Sequence, residues 1–94
     1  MCWTWDRDKA ARNRLKHGLS FETAVLVFDD PLQASRPDPH PDGDRWQTIG
    51  LVGPVVMVVI HTWSEESGNE PHGRIISARR ATAQERRAYE EGTF

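Results

Sequence analysis

Apolar residues follow two rhythms along this chain, and the change between them divides it. Phe21, Ala24, Val25 and Phe28 recur at i, i+3, i+4 and i+7, the spacing of an amphipathic helix. Ser20 stands where that helix takes its N-cap. Asp29-Asp30-Pro31 ends it, because proline disfavours helical backbone at the residue before it. Upstream, Ala10, Ala11 and Leu15 mark a thinner stripe. Asp6 caps a helix from Arg7 to His17, and Gly18 supplies its stop. Trp3 to Trp5 reads either as a short first strand or as aromatic packing on the rim.

Beyond Pro31 the pattern is that of strands. Leu32 to Arg36, Arg45 to Val52, Val55 to Trp63 and Arg74 to Ala81 are the candidates, the third apolar on both faces. Pro37 to Asp44 is a turn-rich loop, Gly53-Pro54 a turn, and Ser64 to Gly73 a polar loop with Glu65, Glu66 and Glu70. Thr82 and Glu85 form a capping box, which starts a last helix from Ala83 to about Glu91, stopped by Gly92. The expected fold is one α+β domain over residues 1–94: two N-terminal helices packed on a three- to four-stranded antiparallel sheet, plus a C-terminal helix.

Composition narrows the class. A chain of 94 residues, 37% hydrophobic and with four tryptophans, suits a small globular core. Cys2 is the single cysteine, so no internal disulfide forms, and a reducing cytoplasm is the expected setting. No signal peptide is expected at the N-terminus. The longest apolar run, Val55 to Ile60, is too short to span a bilayer. The net charge is −2, but ten of the twelve Lys/Arg fall at 7–16 and 74–87, while residues 20–72 hold nine acids. Such a chain does not coat nucleic acid indiscriminately, yet it can present a local basic site.

The candidate chemistry concentrates in Arg74-Ile75-Ile76-Ser77-Ala78-Arg79-Arg80-Ala81. It opens as a strand and then carries a hydroxyl and two guanidiniums beside a helix N-terminus, a setting that favours an anion such as phosphate. Alternation places Ile75, Ser77, Arg79 and Ala81 on one side, and Arg74, Ile76, Ala78 and Arg80 on the other. Spacing does not say which side is open. Chemistry on a phosphodiester needs a base, an acid and cations, and His17, His61, Glu22, Lys16, Arg79, Arg80 and Tyr89 are suitable types. Structural readings stand beside these: His61 as a satisfied histidine at the sheet margin, His17 as a complement to a helix dipole, Tyr89 as core, and Arg7, Arg12, Arg14, Arg86 and Arg87 as solvated helix faces. Trp46 and Trp63 either stack bases or fill the core. Asp38, His40 and Asp42 share a loop without metal-ligand spacing, so no metal and no cofactor are expected.

Several of these segments occur together in one family. Trp5-Asp6, Lys16-His17-Gly18-Leu19-Ser20-Phe21-Glu22 and Val27-Phe28-Asp29-Asp30-Pro31 resemble the N-terminal half of BrnT toxins. Arg45, Ile49-Gly50, His61-Thr62, the Arg74 to Ala81 segment, Glu85 and Tyr89 resemble the other half. The resemblance implies a RelE-like ribonuclease toxin of a bacterial type II pair, cutting RNA without a metal and arresting translation. It implies a BrnA-type antitoxin partner, two toxins with two antitoxins, with DNA bound only through the antitoxin. On this reading the RNA 2′-hydroxyl attacks the adjacent phosphate. Lys16, Arg79 and Arg80 hold that phosphate, and His61 is the first choice for proton transfer, with Glu22 or His17 behind it. Lys16, His17, Ser77 and Arg45 contact the RNA. The alternatives are a catalytically inactive relative that only binds its antitoxin, and a lone DNA-binding regulator. Against the latter stand the negative net charge and the lack of a basic recognition helix.

Overall fold

The Asp6 carboxylate starts the first helix as its position predicts, accepting from the backbone N–H groups of Asp8 and Lys9. Helix α1 spans Arg7–His17, and Gly18 closes it in the left-handed region at φ 71°. The structure, a computed structural model, describes residues 2–40, 43–63 and 72–94. Most of the acidic loop expected between Ser64 and Gly73, with its three glutamates, lies outside the described residues.

The second helix is shorter than its spacing predicts. Ser20 caps it by accepting from the Thr23 N–H, but only α2 (Phe21–Ala24) is α-helical, and Val25–Asp29 winds as a 3₁₀ turn. Three residues per turn place Ala24 and Val27 in one line. Both are fully buried, while Val25 is half-buried. The tighter turn presses on a glycine of β3 (Trp46–Val52): a Cβ on Gly50 would lie 2.9 Å from Val27 Cγ1, so only a bare backbone allows this approach.

Strands β2 (Ala34–Pro37), β3, β4 (Val55–His61) and β5 (His72–Arg80) form an antiparallel meander. A further strand, β1 (Cys2–Trp5), pairs in parallel with β5, giving the order β1-β5-β4-β3-β2. The sheet is therefore five-stranded and mixed, not three- or four-stranded and antiparallel. Four residues are too few for alternation to announce a strand, and its partner lies near the far end of the chain. Trp3 crosses Gly73, where a Cβ would stand 2.2 Å from the indole.

A bulge in β5 resets which side chains share a face. His61 pairs with Ile75 and Ile60 with Ser77, so Ile76 is left without a partner in the ladder. Ile75 thus aligns with Ala78 and Arg80, and Ser77 with Arg79, which corrects the simple alternation read from sequence. The first of these faces packs under the N-terminal helices, with Phe21, Ala24, Val27, Met57, Val59, Ile75 and Ala78 in the core. The second is covered over β2–β4 by α3 (Ala83–Glu91), whose Glu85 reaches both Arg79 and Arg36. Beneath it Ile49 and Val58 are fully buried. Toward β1 this second face stays open, with Thr4 and Arg74 exposed. Among the described residues no helix is long and apolar enough to cross a membrane.

Candidate nucleic-acid interface

Lys9, Arg12, Asn13 and Lys16 occur at i, i+3, i+4 and i+7 of α1 and therefore share one side of it. Asn13 anchors that side. It is 7% exposed, donates from Nδ2 to the carbonyls of Leu19 and Ala78 at 3.1 and 3.0 Å, and accepts at Oδ1 from the Ala78 N–H at 3.1 Å. β1 pairs with β5 only as far as Ile75. Past that point the edge of β5 needs partners for its backbone groups, and the Asn13 amide supplies them at Ala78 as a neighbouring peptide would.

This docking lays the cations of α1 beside the bulge. Lys9, Arg12, Asn13, Lys16, His17, Ile76 and Ser77 line an open depression of about 430 Å³. A smaller one of about 260 Å³ adjoins it, sharing Lys9 and Ile76 and adding Asp44, Arg45, Thr62 and Arg74. The two make one groove lined by five Lys/Arg side chains: Lys9, Arg12, Lys16, Arg45 and Arg74. Among the described residues none of the five takes part in a salt bridge. Unpaired cations along a groove suit a polyanionic backbone. His17, half-buried, is the imidazole of this groove, and Ser77 brings a hydroxyl to it.

Four of the residues singled out by sequence are thus brought together: Lys16, His17, Ser77 and Arg45. The other four are not. His61 is fully buried on the helix-covered face, its ring 4.8 to 5.2 Å from those of Trp3, Phe28 and Trp63. Its hydrogen bonds fix its tautomer. Nδ1–H donates to the Thr62 carbonyl at 3.2 Å, so Nε2 accepts from the Thr48 hydroxyl at 2.6 Å, and Thr48 in turn accepts from Ser35 at 2.7 Å. Burial pushes the His61 pKa down to about 4, against a small opposing effect of the Thr62 carbonyl.

Arg79 is held by Glu85 through two hydrogen bonds of 2.6 and 2.9 Å. The same carboxylate completes the capping box by accepting from the Thr82 N–H. Arg79 pulls Glu85 down to about 2, and Glu85 raises Arg79 above its ordinary value. Arg80 is exposed at the end of β5, and Glu22 is exposed on α2; neither lines the groove. Tyr89 does not serve as core: its hydroxyl donates to Asp30, which pushes it up to about 12.

Sequence reading missed Lys9, Arg12, Asn13 and Arg74. The signal for the first three was present: they share an i, i+3, i+4, i+7 stripe with Lys16 on a helix with a thin apolar face, and of that stripe only Asn13 is buried. Among the described residues no three His, Cys, Asp or Glu side chains are grouped to hold a metal.

One family model matches residues 5–85, described as "Ribonuclease toxin, BrnT, of type II toxin-antitoxin system". The matched span contains every residue of the groove. Comparison with curated proteins gave no match.

Proposed function

The chain belongs to the BrnT family of ribonuclease toxins of type II toxin–antitoxin systems, and from that premise we propose that it cleaves RNA in the groove between α1 and β5 without a metal ion. The observation that supports this site is the row of five unpaired cations meeting an imidazole and a hydroxyl.

Lys9, Arg12 and Lys16 hold the scissile phosphate and offset charge on its oxygens. Arg45 and Arg74 take the neighbouring phosphate. His17 accepts the proton of the RNA 2′-hydroxyl, O2′ bonds to the adjacent phosphorus, and the bond from phosphorus to the 5′-oxygen breaks. That oxygen takes a proton from water, leaving a cyclic phosphate and a 5′-hydroxyl. The nucleophile already resides in the substrate, so the step asks for no metal. Ser77 donates to a non-bridging oxygen. His61 packs the aromatic cluster and Arg79 braces α3; with Glu22 and Arg80, they stand outside the reaction.

The toxin–antitoxin family implies an antitoxin partner. The same proposal takes it to be a BrnA-type protein, two toxins bound with two antitoxins, DNA contacted through the antitoxin alone, and the cytoplasm as the setting. Incubation with RNA in EDTA tests the reading. The wild type should cut naked or ribosome-bound RNA and leave cyclic phosphate ends, and His17→Ala should cut at least about 100-fold more slowly. Undiminished cleavage by His17→Ala would remove it from the mechanism.

Arg79 being occupied by Glu85 favours a second reading, a catalytically inactive relative that binds its antitoxin and takes part in operon autoregulation. That reading predicts a tight complex and no cleavage of either RNA form.

A further inference from the structure

Every charged side chain lining the groove is basic except Asp44, which stands beside Arg45 and Arg74 in the smaller depression. It is exposed and takes part in no salt bridge with the described residues. A carboxylate repels phosphate, so Asp44 marks a place in the groove where an RNA backbone does not run. What can face it is the donor-bearing edge of an unstacked base.

The four bases differ sharply there. Guanine presents two adjacent donors, N1–H and the N2 amino group, which match the two oxygens of one carboxylate. Adenine and cytosine each set a ring-nitrogen acceptor beside their amino group, and uracil flanks its single N–H with two carbonyls; each of these acceptors repels a carboxylate. Thr62 lines the same depression, and its Oγ1 already accepts from the Arg74 backbone N–H at 3.2 Å. Its own hydroxyl proton is therefore left to donate, which suits the O6 acceptor next to guanine N1.

We propose that the smaller depression is a nucleotide subsite that selects guanine beside the bound phosphate, with Asp44 accepting from N1–H and N2–H and Thr62 donating to O6. The inference rests on the groove being the RNA site, and it names the base that site prefers. Arg45 and Arg74, which line the same depression, keep their role toward the backbone.

The test uses short oligouridylates carrying one central guanosine, adenosine, cytidine or uridine on a 2′-O-methyl backbone, which lacks the attacking hydroxyl. Their binding is followed by fluorescence anisotropy. The wild type should bind the guanosine oligonucleotide about tenfold tighter than the other three, the order of discrimination of one bidentate pair. Asp44→Ala should abolish that preference while leaving the other three at least as tightly bound, and Asp44→Asn, which keeps one acceptor, should fall between. Circular dichroism confirms that each variant is folded. Equal wild-type affinity for all four, with Asp44→Ala tightening all of them alike, would make Asp44 a mere repulsive charge and overturn the subsite while the groove stands. If the wild type binds none of the four, the groove reading falls, and the subsite with it.

Discussion

Arg74 and Arg79 project from the same face of β5, yet they belong to different machinery. Arg79 lies within reach of the capping box at the start of α3. Glu85 grips it with both oxygens and also reaches Arg36 at 3.8 Å, which in turn stacks on the Phe94 ring at 4.0 Å. Arg74 lines the smaller depression with Lys9, Arg45 and Asp44, its charge acts on Asp6 at the start of α1, and it has no salt bridge among the described residues. The first arginine is consumed by the fold and the second stays exposed without a salt bridge among the described residues. Residue type does not separate them; the neighbouring element does. The half of the open face next to α3 is a structural clamp, and the half next to α1 is a groove whose cations make no salt bridge among the described residues.

The strongest way to break this division is to strip the groove. Lys9→Ala, Arg12→Ala and Lys16→Ala together should lower RNA affinity by orders of magnitude. They should also reduce the slope of log affinity against log salt by about 0.7, the value for the one phosphate they share on a single strand. Anisotropy at several salt concentrations reads both, while the melting temperature should hardly move. An unchanged slope would place the phosphate contacts elsewhere.

Acid should act on the fold through His61. Its pKa is about 4 when buried and near 6.5 when unfolded, so the unfolded chain binds the extra proton between those values. The stabilisation is complete above about pH 6.5 and is lost as the pH falls toward 4, amounting to about 3 kcal/mol. Urea unfolding across that range measures it, and His61→Gln should flatten the dependence. Glu85 contributes lower on the scale: its stabilisation is present above its ordinary 4.5 and is lost as the pH drops toward about 2.

The smallest effect tests the clamp itself. Arg79→Ala should cost about 1 kcal/mol, because the side chain is 33% exposed, and lower Tm by about 5 °C. Cleavage should persist. Loss of cleavage by a folded Arg79→Ala protein would return this arginine to the active site and erase the contrast with Arg74.

Where a signal was local, the sequence was legible. The caps at Asp6 and Thr82, the stops at Gly18 and Gly92, and the helices between them lie where spacing predicts, because each rests on contacts within four residues. The family match over residues 5–85 agrees with the motif segments read directly from the chain. Lys16, His17, Ser77 and Arg45, named from the sequence as RNA contacts, line one groove, although nothing in the sequence joined Arg45 to α1. The remaining candidates failed to converge for reasons that are not local. His61 is on the helix-covered side of the sheet and became core. Arg79 met a carboxylate six positions on, across the turn into α3.

The sequence by itself determined the helix ends, the strand candidates, the reservoir of cations and the family, since periodicity, capping chemistry and motif spacing all act over short stretches of chain. Tertiary structure alone decided the fifth strand, the unpaired Ile76 and the Asn13 amide seated at the open edge of β5. Each depends on pairing between distant segments, and together they determine which face every side chain of β5 presents. An inserted residue in a ladder reverses the alternation beyond it, so which arginine meets a carboxylate and which meets solvent is settled only when β4, β5 and α3 come together.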